Sequence, residues 1–214
     1  MCGRFVRSSD PEAFARQLGC PVPEAPPPSY NISPSTRLLA FTRTGRQTRA
    51  FLPVWGLRPA WFRRPSTGPI NARWETAAEK PMFRRAWRQR RCLIAADGYY
   101  EWEGKPGRRQ PWFIRLGKGT PFFFAGLWEE SGERPTACIL TTSAAGTLQR
   151  IHPRMPVIVP SNQWENWLAG DPGEAGPETP DLARTALEFE LWPVSDRVNR
   201  PANDDPDLIR PLAA

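Results

Sequence analysis

One histidine, three lysines and three methionines in 214 residues leave little material for several kinds of chemistry. His152 alone cannot build a two-histidine metal motif, and the cysteines at 2, 20, 92 and 138 have no CxxC spacing. That pattern gives neither a paired-ligand zinc signature nor a secreted disulfide scaffold, so reduced thiols and no metal are expected. The longest apolar stretches, Pro121–Trp128 and Met155–Val159, fall far short of the roughly 20 residues of a spanning helix, and no membrane partner is expected. The start, Met1-Cys2-Gly3-Arg4-Phe5, lacks the apolar core of a signal peptide, which points to the cytoplasm. Gly-rich phosphate loops, HExxH and GxSxG are all missing, and no cofactor is expected.

What is abundant is arginine: 26 residues, for a net charge of +7. The charge is uneven. Residues 1–120 carry 22 basic and 8 acidic side chains, for +14, and residues 121–214 carry 7 and 14, for −7. A bipolar chain of this kind suits a polyanion, and nucleic acid is favoured over a merely solvated basic surface. Arg84, Arg85, Arg88, Arg90 and Arg91, interleaved with Phe83 and Trp87, form the densest cluster and resemble a single-strand binding surface. Trp55, Trp61 and Phe62 are candidate stacking or wedge residues in a loop rich in Pro, Arg and Trp.

The patterning predicts one α+β domain over 1–214. A strand opens at residues 3–6, and Ser9-Asp10-Pro11-Glu12 starts a helix to about Leu18. Five prolines within residues 21–28 make a stiff loop. Arg37–Thr44 and Thr48–Trp55 read as a hairpin, and a helix over Thr76–Arg88 must be kinked or divided by Pro81. Strands follow at Cys92–Ala96, Tyr99–Trp102, Trp112–Leu116, Phe122–Trp128, Thr136–Thr142, Pro156–Val159 and Glu188–Val194, with a short helix over 161–168. Short Gly-containing connections imply a mainly antiparallel, strongly curved, barrel-like sheet with flanking helices. Residues 170–180 read as a mobile acidic loop.

Five residues could carry or orient chemistry. Cys2 would become the first residue once Met1 is removed, placing a thiol and an α-amine on neighbouring carbons; that amine, with an ordinary pKa of about 7.7–8.0, is partly neutral at pH 7. Such an aminothiol can form an imine with an aldehyde and close it to a thiazolidine, or the thiol can attack an ester or amide with its own amine as base. An incidental thiol at a frayed terminus is the bland alternative. His152, between Arg150 and Arg154, is a candidate base or proton shuttle. Glu101, flanked by Tyr100 and Trp102 on a predicted strand, is a candidate general acid or base. Asn71 and Arg73 would share one face of an extended run, suited to orienting a reacting group and a phosphate. Cys20, Cys92 and Cys138 are assigned to packing.

Together these pieces resemble the SRAP family, the SOS response-associated peptidase-like proteins that act as shields of abasic sites in single-stranded DNA. The resemblance is carried by Met1-Cys2-Gly3-Arg4-Phe5, Tyr30-Asn31-Ile32-Ser33-Pro34, Trp55-Gly56-Leu57, Asn71-Ala72-Arg73 with Glu75-Thr76, Arg91-Cys92-Leu93-Ile94, Gly98-Tyr99-Tyr100-Glu101-Trp102, His152-Pro153-Arg154-Met155-Pro156 and Val194-Ser195 to Val198-Asn199. It implies the SRAP fold. It also implies that mature Cys2 captures the aldehyde of an abasic deoxyribose as a Schiff base and then as a thiazolidine crosslink, with weak AP lyase activity as a corollary. Glu101 and His152 would move protons and Asn71 would orient the reacting groups. Arg4, Arg73 and Arg154 would hold phosphates, and Asn31, Pro34 and Trp61 would shape a turned DNA path; Arg84 and Arg85 are DNA-binding candidates from the basic cluster itself. A monomer associated with the nucleoid when bound to DNA is expected. Two other readings stay open: a thiol peptidase or autoprotease using Cys2 and His152, and a noncovalent single-strand binder.

Overall fold

The computed structural model describes residues 2–22, 24–63, 67–105, 107–132, 134–169 and 189–212. In chain order they form β1 (Arg4–Arg7), α1 (Pro11–Leu18), β2 (Ser29–Ile32), β3 (Ala40–Thr44), β4 (Gln47–Phe51), β5 (Val54–Trp55), β6 (Asn71–Arg73), α2 (Trp74–Ala77), α3 (Arg84–Gln89), β7 (Arg91–Ala96), β8 (Gly98–Lys105), β9 (Arg108–Leu116), β10 (Phe122–Ser131), β11 (Arg134–Ser143), β12 (Arg154–Pro156), α4 (Trp164–Leu168) and β13 (Phe189–Pro193). The acidic stretch 170–180 lies outside the described residues.

Five strands pair in the order β13-β9-β8-β1-β2. A larger curled sheet runs β12-β11-β10-β7-β3-β4, and β5 and β6 pair with β11 in parallel. Those two short parallel pairings are the exception to the antiparallel pattern. The chain passes between sheets at Asp97, whose Oδ2 accepts the Ser8 and Ser9 amides at 2.6 and 2.8 Å. Gly98 follows because a Cβ there would sit 2.4 Å from Phe113 Cζ.

Alternation along β7 explains the layering. Cys92, Ile94 and Ala96 face a central core shared by both sheets, with Cys2, Phe5, Trp55, Tyr99 and Phe124. Leu93 and Ala95 face the other way, under helices, with Phe14, Trp87 and Trp167. A third cluster on the outer face of the smaller sheet packs Tyr100 and Phe113 against Val194, Val198 and Leu208 of the C-terminal tail. Each large apolar side chain buried this way contributes roughly 1.5–3 kcal/mol. In the central layer Phe5 meets Trp55 and Phe124 edge-on at 5.2 and 5.6 Å, a favoured aromatic geometry.

Local chemistry sets the boundaries. Asp10 caps α1 by accepting from the Glu12 amide, and Gly19 ends it in the left-handed region at φ 63°. Pro81 divides the expected 76–88 helix into α2 and α3. The stiff proline loop is anchored by Arg7, which is 1% exposed and donates to the carbonyls of Pro26, at 2.7 Å, and Pro27.

Two sequence expectations fail for one physical reason. Phe83 and Trp87 are buried in the helical-side core, and the Arg91 guanidinium lies between the Trp87 and Trp167 rings at 5.2 and 4.8 Å. Arg90 pairs with buried Glu129. The aromatic and C-terminal parts of the basic cluster are therefore core, and only Arg84, Arg85 and Arg88 are exposed. Trp55 is also core, fully buried with its indole N–H donating to Ile70 O at 2.9 Å, which removes it from the stacking candidates.

Candidate active site

Cys2 stands immediately before β1, whose register with β8 pairs Arg4 with Tyr100 and Phe5 with Tyr99. Extending that register brings the Gly3 and Cys2 backbone alongside Glu101 and Trp102. Cys2 is fully buried, and its thiol approaches Arg4 O at 3.8 Å. Burial pushes the Cys2 thiol well above its ordinary range, and the Glu101 carboxylate adds to the effect. The same neighbourhood raises the Tyr99 hydroxyl, first by burial and then by Cys2 and Glu101. Cys2 and Tyr99 belong to one core layer, and Glu101 is buried two residues along β8 from Tyr99.

Asn71 comes from β6 and donates its Nδ2 hydrogen to the Cys2 carbonyl at 2.9 Å. Ala72 points into the helical-side core, so the two-residue period of the strand puts Asn71 and Arg73 together on the Cys2 side. Arg73 is exposed. Asn71 Oδ1 is buried and has no hydrogen-bond partner among the described residues, leaving an acceptor beside the first residues of the chain.

Glu101 faces the same layer. Its Oε1 accepts the Trp102 amide at 3.2 Å, and its cross-strand partner is Trp112. Above Trp112 lies the Arg150 guanidinium, 4.6 Å from the ring. This cation–π contact ties the turn before His152 to β9, beside Glu101.

His152 Nδ1 accepts the Arg154 amide at 2.9 Å. The same Nδ1 lies 3.0 Å from the Arg154 carbonyl oxygen, so the Arg154 backbone offers the ring both a donor and an acceptor. Arg154 itself is held hard: Nη1 and Nη2 donate to the two Glu75 oxygens at 2.6 and 2.9 Å, and Nη2 also reaches the Thr141 carbonyl. The pair holds the Glu75 carboxyl below its usual range and joins α2 to β12 across β11.

The structure thus brings Cys2, Asn71 and Glu101 together, with Arg4 and Arg73 close by in the chain and His152 and Arg154 held on β12 and the turn before it. Pro34, half-buried, is bound into the rim: the following Ser35 donates its amide to Trp55 O at 2.9 Å and its hydroxyl lies 2.8 Å from Thr67 Oγ1. Trp61 is 57% exposed. Asn31 goes elsewhere. It is 4% exposed, and Nδ2 donates to Val198, Arg200 and Asn203 carbonyls at 3.2, 3.1 and 2.8 Å. It latches the tail rather than facing the Cys2 pocket. Arg84 and Arg85 lie on α3, across the larger sheet from Cys2.

Sequence reasoning assigned no role to Thr141, Arg150 or Trp112, and Glu75 entered only as part of a motif. The Glu75–Arg154 pair spans 79 positions and Arg150–Trp112 spans 38, so no local pattern could reveal either.

Among proteins of known description, the chain is 36% identical to the abasic site processing protein YoqW of Bacillus subtilis over 98% of this chain and 99% of that one. It is 31% identical to the abasic site processing protein YedK of Escherichia coli, over 99% and 100%. A crystal structure of a protein from Bacteroides thetaiotaomicron superimposes with a TM-score of 0.79 at 22% identity, covering 99% of this chain and 100% of that one, which supports the fold. The family model described as SOS response associated peptidase (SRAP) matches residues 1–201, and the chain belongs to that family.

Proposed function

We propose that the protein senses and shields abasic sites in single-stranded DNA by forming a covalent thiazolidine crosslink through Cys2 after Met1 is removed. The observation that carries this reading is the setting of Cys2: the second residue, fully buried, with its carbonyl held by Asn71.

The chemistry follows from that setting. The freed α-amine adds to the C1′ aldehyde of the ring-opened deoxyribose, and the carbinolamine loses water to give an imine. The thiol then adds to the imine carbon, forming a C–S bond, while its proton goes to the nitrogen. A thiol kept protonated by burial and a neighbouring carboxylate is a poor first nucleophile, so the amine acts first. Ring closure is intramolecular and profits from positioning, where effective molarities reach about 10⁵ M or more. Asn71 holds the Cys2 carbonyl, and its Oδ1 can accept from the amine. Glu101 exchanges protons with amine and sugar, and supports reversal of the crosslink. His152, held against the Arg154 backbone through Nδ1, assists opening of the sugar ring. Arg4, Arg73 and Arg154 contact phosphates beside the lesion, with Pro34 and exposed Trp61 on the strand's path. The imine intermediate also permits β-elimination, which gives a weak AP lyase activity.

The peptidase reading requires a thiolate, and catalytic thiols are activated by cationic neighbours. Here the charged side chain that most affects the Cys2 thiol is a carboxylate. The deciding experiment is denaturing intact mass spectrometry of the protein alone and after incubation with single-stranded DNA bearing one abasic site. Loss of Met1 and a heat-stable adduct absent in Cys2→Ala are expected. Retained Met1, or an adduct that survives Cys2→Ala, overturns the mechanism.

A further inference from the structure

A cavity of about 1230 Å³ lies on the helical side of the larger sheet, opposite the Cys2 layer, between the end of α1, the β3–β4 hairpin and the start of α4. Arg16, Arg43 and Arg46 line it. Among the described residues none of the three is ion-paired with a carboxylate. Among the described residues Arg43 bonds only through Nε, donating to Gly45 O at 3.2 Å, which leaves its terminal nitrogens for a ligand. The Arg49 guanidinium, by contrast, is stacked near Phe51 and Trp128 and bonded to Thr44 Oγ1. Gln17 and Asn162 add neutral amides, and Glu165 is the one carboxylate among the lining residues.

Three arginines that converge on a groove without carboxylate partners form a site for phosphate oxygens, which guanidinium binds in paired hydrogen bonds. The tryptophan of the groove offers no stacking platform: Trp164 is packed edge-on against Phe123 at 4.9 Å, and its indole N–H is spent on Val159 O. The groove is therefore built to follow a backbone, without reading bases. Exposed Arg84, Arg85 and Arg88 of α3 lie on the same side of the sheet. The helix α4 separates the two patches, since Trp164 packs toward α1 through Phe123 and Trp167 packs on Trp87 of α3.

We propose that this groove binds the phosphodiester backbone of single-stranded nucleic acid at a second, noncovalent site remote from Cys2. The choice of partner rests on the abasic-DNA reading, but the site itself needs no lesion. A strand held at Cys2 and again on the back face would be shielded over more of its length than the chemical site alone covers.

The test is fluorescence anisotropy with undamaged oligothymidylate of about 40 nucleotides, long enough for several binding footprints, across a salt titration and with Cys2→Ala as the background. The triple variant Arg16→Gln/Arg43→Gln/Arg46→Gln is expected to bind about tenfold or more weakly at low salt. Its log-affinity against log-salt slope should flatten by about 2, at roughly 0.7 per single-strand phosphate contact. Glu165→Gln should shift affinity the opposite way, and it keeps the test alive should the triple variant fail to fold. With Cys2 restored, the triple variant should still form the adduct on a short abasic oligonucleotide. Loss of the adduct in the parent with the slope change intact would sink the covalent reading and leave the groove standing. Unchanged affinity and slope in a folded triple variant overturn the groove, as does groove-dependent binding of a poly-glutamate peptide with none of oligothymidylate.

Discussion

Arg154 is the residue whose chemistry is most constrained by its neighbours. Proposed to contact a phosphate, it is already engaged by both oxygens of Glu75, so a phosphate must compete for a guanidinium or share it through the remaining edge. Its Nε is buried without a hydrogen-bond partner among the described residues. Glu75→Gln removes the competing charge. If Arg154 reaches DNA, affinity for undamaged single strands should rise a few-fold in this variant, by roughly the 0.2–1 kcal/mol of a half-exposed ion pair; unchanged affinity would take Arg154 out of the phosphate contacts. The same pair gives a pH signature. The folded Glu75 carboxyl sits below its usual range, chiefly through the Arg154 hydrogen bond. Its contribution to stability is therefore complete above the ordinary carboxylate range and is lost as pH falls through the depressed folded value. Glu75 is 44% exposed, so the effect is small, and it should appear in urea melts as a slightly flatter acid limb for Glu75→Gln.

At the scale of elements, the tail latch is the strongest structural claim. Asn31 on β2 satisfies three tail carbonyls with one amide, and Tyr100 and Trp102 of β8 reinforce the region by donating to Tyr30 O and to Asn199 Oδ1, both at 2.8 Å. Removing a buried hydrogen-bonding group costs about 1–3 kcal/mol, and at about 2–4 °C per kcal/mol for a chain of this size Asn31→Ala should lower Tm by roughly 2–12 °C. Tryptic cleavage at Arg197 or Arg200 should accelerate in parallel. Adduct formation at saturating DNA should persist in the folded variant, and its loss would return Asn31 to the DNA path.

This latch also marks what could be read from the chain alone. Strands such as Cys92–Ala96 and Phe122–Trp128 were legible because their apolar runs and Gly-rich connections are local, and the helix start at Asp10 was legible because capping is chemistry within three residues. Cys2, Asn71 and Glu101 stood out by residue type and position. The parallel pairing of β6 with β11 could not be read, since three residues carry no periodicity. Nor could the fates of Asn31 and Arg91: an asparagine before a turn and an arginine in a basic run look exposed until distant partners bury them, tail carbonyls 167 to 172 positions from Asn31 and Trp167, 76 positions from Arg91. Buried arginines stacked between tryptophans are where composition misleads most.

At the scale of the whole molecule, the curled sheet separates two kinds of work. Its inner face holds a buried layer that includes Cys2, Tyr99 and Glu101, while the exposed arginines, among them Arg16, Arg46, Arg73, Arg84, Arg85 and Arg88, lie on the outside. Phosphate contacts on the surface are screened by salt and release counterions, whereas groups buried around Cys2 are shielded from bulk ions. Binding and bond formation should therefore separate under a salt titration. In single-turnover reactions with an abasic oligonucleotide, the DNA concentration giving half the maximal rate should climb steeply between about 50 and 200 mM salt, following the counterion slope. The maximal rate should change by less than about twofold, because Cys2 and Glu101 are buried and little exposed to bulk ions. A maximal rate that falls as steeply as the affinity would mean that the phosphate-binding arginines act in the chemical step itself, pulling the sugar into reach of Cys2, and the division between a basic outer surface and a self-sufficient inner site would have to be abandoned.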